Sequence, residues 1–114
     1  SDLRESTTLW FLDELKSSGI KNIWGYDPIL NSQEINDLGI NYCSIEEGFE
    51  SADAIYLMNN HASYINLPII DLIDKVNKPA LFFDAWQIFW EYDLVNVRGL
   101  MYTGVGVGFP FQKD

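Results

Sequence analysis

Basic residues are scarce in this sequence: seven Lys and Arg stand against 17 Asp and Glu, a formal net charge of −10 over 114 residues. The seven are dispersed as Arg4, Lys16, Lys21, Lys75, Lys78, Arg98 and Lys113 and form no stripe. Binding along a nucleic acid depends on clustered cations, so the surface as a whole argues against such a partner. A single nucleotide needs only one or two cations and a few backbone N–H groups, and is not excluded. Cysteine is nearly absent. Cys43 is the only one, which rules out an internal disulfide and implies a reducing compartment. With one cysteine and one histidine, His61, a zinc centre lacks ligands, and no metal site is expected. No apolar run approaches the ~20 residues that span a bilayer, and no secretory leader is evident, so no membrane partner is expected.

What is present is a core. Hydrophobic residues make up 47% of the chain and aromatic residues 15%, which argues against disorder and for one domain over residues 1–114. Leu9, Leu12, Leu15 and Ile20 recur at helical spacing beside Phe11, with Ser6 as the expected cap and Gly19 as the stop. Ile23, Trp24 and Tyr26 read as a short strand that Asp27-Pro28 ends. Asn31 with Glu34 caps a small helix that closes at Gly39; Ile40, Tyr42 and Cys43 form a second short strand. Ser44 with Glu47 matches a capping box, placing a brief helix over about residues 45 to 50. Ala54-Ile55-Tyr56-Leu57-Met58 is a continuous apolar run, expected to be a strand covered on both faces. Pro68 opens a helix whose Ile69, Leu72, Ile73 and Val76 share a face. Ala80-Leu81-Phe82-Phe83 is a buried strand ending at Asp84, and Leu100-Met101-Tyr102 is the last strand.

Helix followed by repeated strand and helix predicts an α/β fold: a three-layer, Rossmann-like, doubly wound parallel sheet. Such sheets begin with a buried strand, and none precedes the first helix here. The chain is therefore expected to be a fragment of a longer protein, with the first strand of its sheet missing. That strand would lie mid-sheet, between the strands near residues 23–26 and 54–59, so a neighbouring molecule is expected to fill its place or the sheet to close up in altered order.

Ligands of such folds bind at the carboxyl ends of strands, here Asp27-Pro28, Asn59-Asn60-His61 and Asp84-Ala85-Trp86. Gly104-Val105-Gly106-Val107-Gly108 superficially suggests a dinucleotide fingerprint, but Phe109-Pro110 follows where a helix should begin, so a glycine-rich strand or turn is the better reading. Asp27 is better explained as a loop starter than as a ribose-binding acid. His61 reads as a loop histidine at a cleft mouth or a helix cap rather than a general base. Cys43 reads as an inert core thiol. Arg4 could clamp a phosphate or pair with Asp2 or Glu5, and the two readings weigh equally. Trp86, Phe89, Trp90 and Tyr92 could stack on a base or bury an interdomain surface, packing being the commoner outcome.

Seven stretches, in order, resemble the C-terminal nucleotide-sugar-binding domain of the UDP-glucose/GDP-mannose dehydrogenase family. They are Asp2-Leu3-Arg4-Glu5-Ser6, Tyr26-Asp27-Pro28, Leu38-Gly39-Ile40, Ala52-Asp53-Ala54-Ile55, Asn60-His61, Phe82-Phe83-Asp84 and Tyr102-Thr103-Gly104-Val105-Gly106. The resemblance implies a cytoplasmic, NAD-dependent enzyme of polysaccharide biosynthesis that is a homo-oligomer when intact. Upstream NAD-binding and helical domains would carry the cofactor and the catalytic cysteine. The sugar C6 alcohol would be oxidised twice, through a thiohemiacetal and a thioester, to a uronic acid. This domain would grip the UDP-sugar, bind no NAD alone and be inactive in isolation. Arg4, Asn60, His61, Asp84, Trp86 and Gln87 are expected to line its cleft, holding substrate or cofactor phosphates, and no catalytic residue is expected. The family's Asp-x-Arg motif is broken here, since Trp86 and Gln87 follow Asp84 where an arginine normally grips substrate. A degenerate relative serving as an interaction domain is the alternative.

Overall fold

The computed structural model describes residues 2–104, with side chains from residue 7 onward. It divides into two compact units, Ser1–Gly48 and Phe49–Asp114.

The first unit begins with helix α1, Asp2–Ser17. Position 6 therefore lies inside the helix rather than at its cap, because Leu3, Arg4 and Glu5 are good helix formers and extend it upstream. Its C-terminus stops as the sequence predicts. Gly19 takes φ +94, the Ile20 N–H reaches the Leu15 carbonyl at 3.1 Å, and the Gly19 N–H reaches that of Lys16 at 3.0 Å. This is the Schellman arrangement, which satisfies carbonyls that the helix leaves unpaired. Strand β1 (Trp24–Gly25) pairs in parallel with β2 (Asn41–Tyr42), connected through α2 (Ser32–Asn36). The Asn31–Glu34 capping box of α2 is complete in both directions. The box of α3 (Ile45–Phe49) is complete as well, with Ser44 N–H on Glu47 at 2.8 Å and Glu47 N–H on the Ser44 hydroxyl at 3.1 Å. Among the described residues of this unit, Leu12, Ile35 and Cys43 are the buried apolar ones.

The second unit is a three-stranded parallel sheet in the order β3-β4-β5, with β3 Ala54–Leu57, β4 Ala80–Asp84 and β5 Leu100–Thr103. Between β3 and β4 the chain forms a 3-10 turn, Ala62–Asn66, and helix α4, Ile69–Ile73. A second 3-10 turn, Leu94–Asn96, precedes β5. Ile69, Leu72 and Ile73 are buried on one face of α4, and Val76, expected on the same helix, is buried in the turn beyond its end. Phe82, wholly buried on the central strand, has its ring 5.5 Å from Tyr102, 6.1 Å from Phe89 and 6.2 Å from Phe49. Aromatic rings at these separations attract beyond the area they bury.

The expectation for the third strand is overturned. The apolar run at β3 is not covered on both faces: Ala54 is exposed and Ile55, Tyr56 and Leu57 are only half-buried. Among the described strands β3 has one ladder partner, β4, and it is β4 that alternates buried and half-buried positions. An edge strand lacks the flanking neighbours that would shield it. The fold is thus α/β with parallel strands in two small sheets, compatible with a Rossmann-like fold.

Candidate functional site

Parallel strands end on the same side, so β3, β4 and β5 deliver Met58–His61, Asp84–Gln87 and Gly104 to one edge of the second unit. Register fixes this: Leu57 lies opposite Asp84, and Phe83 opposite Thr103. Ligands of open α/β sheets bind at such an edge.

Asp84 ends β4 with no solvent exposure, yet its carboxylate is fully engaged. Oδ1 accepts the Ile88 N–H at 3.0 Å, and Oδ2 accepts the Phe89 N–H at 2.9 Å and the Tyr102 hydroxyl at 2.7 Å. Three donors on one carboxylate are what burial of this charge requires. Burial, followed by the hydrogen bond and proximity to Asp84, pushes the Tyr102 hydroxyl well above its ordinary range, so it holds its proton and donates. The Asp84 carboxylate therefore faces the protein, and its contribution to the edge is to fix the turn after it. The Gln87 N–H closes that turn on the Asp84 carbonyl at 3.1 Å, with Gln87 at φ +56. A left-handed non-glycine residue is held only where its surroundings enforce it.

Within this turn Trp86 stays about half-exposed at 47%, while its indole Nε1 donates to the Met58 carbonyl at 3.4 Å. The Ala85 N–H donates to the Leu57 carbonyl at 3.1 Å. The two loops are thereby tied. On the β3 side, Asn59 Oδ1 accepts the His61 N–H at 3.0 Å. His61 in turn caps the 3-10 turn, its Nδ1 accepting the Ser63 N–H at 3.1 Å and lying 2.8 Å from the Ser63 hydroxyl. Of the two sequence readings for His61, the cap is realised. Asn60 is exposed beside it. Gly104 closes the edge: a Cβ there would lie 2.5 Å from the Asp84 carbonyl oxygen and 3.3 Å from Gln87 Cγ. Only glycine allows the two strand ends to approach so closely.

The structure thus brings Asn60, His61, Asp84, Trp86 and Gln87 to one edge. Arg4 belongs to α1 in the other unit, and its side chain lies outside the described residues, as do Gly106, Gly108 and Lys113. Sequence reasoning missed Tyr102 as the partner of Asp84, since nothing in an apolar strand singles out one tyrosine. It also missed the Met58 carbonyl as the tether of Trp86. Gly104 was visible as a glycine, but its reason was not.

The remaining candidates are structural. Asp27 Oδ1 accepts the Ile29 and Leu30 N–H groups at 2.7 and 3.2 Å, the turn its sequence predicts. Cys43 is buried, and burial, with Glu47 nearby, raises its thiol above the ordinary range, the opposite of an activated nucleophile. Among the described residues no group of three or more His, Cys, Asp or Glu could hold a metal ion, and no helix is long and apolar enough to cross a membrane.

A parallel α/β unit with polar loops gathered at its strand ends falls in the α/β class whose ligands bind at that edge. Within that class, the model of the UDP-glucose/GDP-mannose dehydrogenase family, UDP binding domain, matches residues 1–91, and the chain belongs to this family. Comparisons with curated proteins and with solved structures each gave no match.

Proposed function

We propose that this chain is the nucleotide-sugar-binding domain of an NAD-dependent UDP-sugar 6-dehydrogenase, contributing orientation and phosphate neutralisation to chemistry performed elsewhere in the intact enzyme. The observation that carries this reading is the family match across residues 1–91. It is supported by the edge just described, where loops from two adjacent strands are cross-tied and therefore preorganised. In the intact enzyme the C6 alcohol would be oxidised to a uronic acid, with NAD as the oxidant. The described residues do not fit NAD itself, because a dinucleotide site needs a glycine-rich turn between a strand and a helix. After β1 comes the Asp27 turn, and after β4 the Asp84 turn. In this reading the domain alone binds no NAD and is inactive, and its NAD-binding and helical partners belong to the same protein, an oligomer in the cytoplasm. The three-layer, doubly wound arrangement is part of the same proposal, supported by the exclusively parallel pairing in both sheets.

A second reading, a non-catalytic relative acting as an interaction domain, is favoured by one feature: Trp86 and Gln87 follow Asp84 where the family motif supplies a substrate-gripping arginine. Calorimetric titration with UDP, UDP-sugars and GDP-mannose separates the two. Saturable heat with a UDP-sugar supports the dehydrogenase reading; no heat with any of them supports the interaction reading.

A further inference from the structure

The edge proposed as the nucleotide-sugar site carries no cation among its described residues. The second unit has three described cations, Lys75, Lys78 and Arg98. Lys75 and Lys78 lie between α4 and the start of β4, and Arg98 lies just before β5. Because β3, β4 and β5 are parallel, these positions belong to the amino ends of the strands, opposite the Asp84–Gln87 turn. Lys78 is further committed, its ammonium donating to the Ile73 carbonyl at 2.7 Å. At the carboxyl edge the Asp84 carboxylate is sequestered, His61 Nδ1 is taken up by its cap, and the other described polar side chains are neutral amides and an indole. The described part of this edge thus offers surface for an uncharged, flat group.

Trp86 supplies the surface for one. Its ring is tethered through Nε1 to Met58 at the end of β3, its backbone is held by the Asp84 turn, and it is still half-exposed. A fixed aromatic face loses little freedom on binding. Resting on the nucleotide-sugar reading, we infer that Trp86 is a stacking platform for the nucleobase, so that this edge binds the base end of the ligand.

The test titrates the full chain and its Trp86→Phe and Trp86→Ala variants with UDP and with glucose 1-phosphate. Base–aromatic stacking predicts that W86A weakens UDP binding by roughly 5- to 100-fold, while W86F keeps most of it. Glucose 1-phosphate should bind all three alike. Emission quenching by UDP should be smaller in W86F than in the native protein at equal occupancy. Equal UDP affinity in W86A and the native protein would overturn the stacking site while leaving the nucleotide-sugar reading intact. A loss confined to glucose 1-phosphate would place the sugar, not the base, on the ring and also overturn it. Failure of every ligand to bind the native chain would instead overturn the nucleotide-sugar reading itself.

Discussion

The Tyr102 hydroxyl donates to Asp84 Oδ2 at 2.7 Å, joining the end of β4 to the neighbouring strand β5 where neither side chain is open to solvent. This bond links fold to site, because the same carboxylate holds the Ile88 and Phe89 N–H groups and so shapes the turn that carries Trp86. Tyr102→Phe removes a hydrogen bond to a charged acceptor and is expected to cost about 1.5–3 kcal/mol in urea or thermal unfolding. The tyrosine also makes stability depend on alkaline pH. Its folded pKa is raised above the ordinary value of 10.0, so the stabilisation is complete below that value and is lost as pH rises above it. The native protein should therefore lose stability above pH 10 more steeply than Y102F, read as unfolding midpoints across that range.

Gly104→Ala tests the close approach of β4 and β5. The new methyl would meet a backbone oxygen rather than a yielding side chain, and the expected cost is about 1–3 kcal/mol. The circular-dichroism melting curve is the measurement, and an unchanged midpoint would show that the strand ends sit further apart.

Trp86→Arg restores the family's Asp-x-Arg pattern. A guanidinium offers a charge-assisted fork to phosphate that indole cannot, so UDP-sugar binding should become strongly salt-dependent. In the native protein this edge contributes a salt-insensitive share. Titrations at low and physiological ionic strength distinguish the two.

Cys43 is expected to resist thiol reagents in the folded protein and to react only as fast as the protein unfolds, since burial and Glu47 both hold the thiol protonated. Labelling rates with and without denaturant check this, and prompt labelling of the native state would contradict the placement of Cys43 in the core.

The features legible in the sequence are those decided within a few residues. Gly19 as a left-handed stop, Asn31 with Glu34 and Ser44 with Glu47 are local hydrogen-bond arrangements, and the structure forms each of them. The single-faced helix Ile69–Ile73 was equally visible, because its period of 3.6 is written in the residues themselves. Strand burial was not. Ala54–Leu57 is as apolar as β4, yet only its position in the ladder order makes it an edge. The site was half legible. Parallel strands placed the loops at 59–61 and 84–87 together, but the roles within them depend on partners far along the chain. Asp84 points inward because Tyr102, 18 residues on, meets it, and Trp86 is tethered by a carbonyl 28 residues earlier.

The central claim is that the carboxyl edge of β3, β4 and β5 receives a nucleotide sugar. Amide hydrogen exchange with and without saturating UDP-glucose tests it most directly. Slowed exchange at residues 59–61 and 85–88, with residues 75–79 at the opposite edge unchanged, is the predicted result. Exchange that is unaltered in both loops at saturating ligand would contradict it.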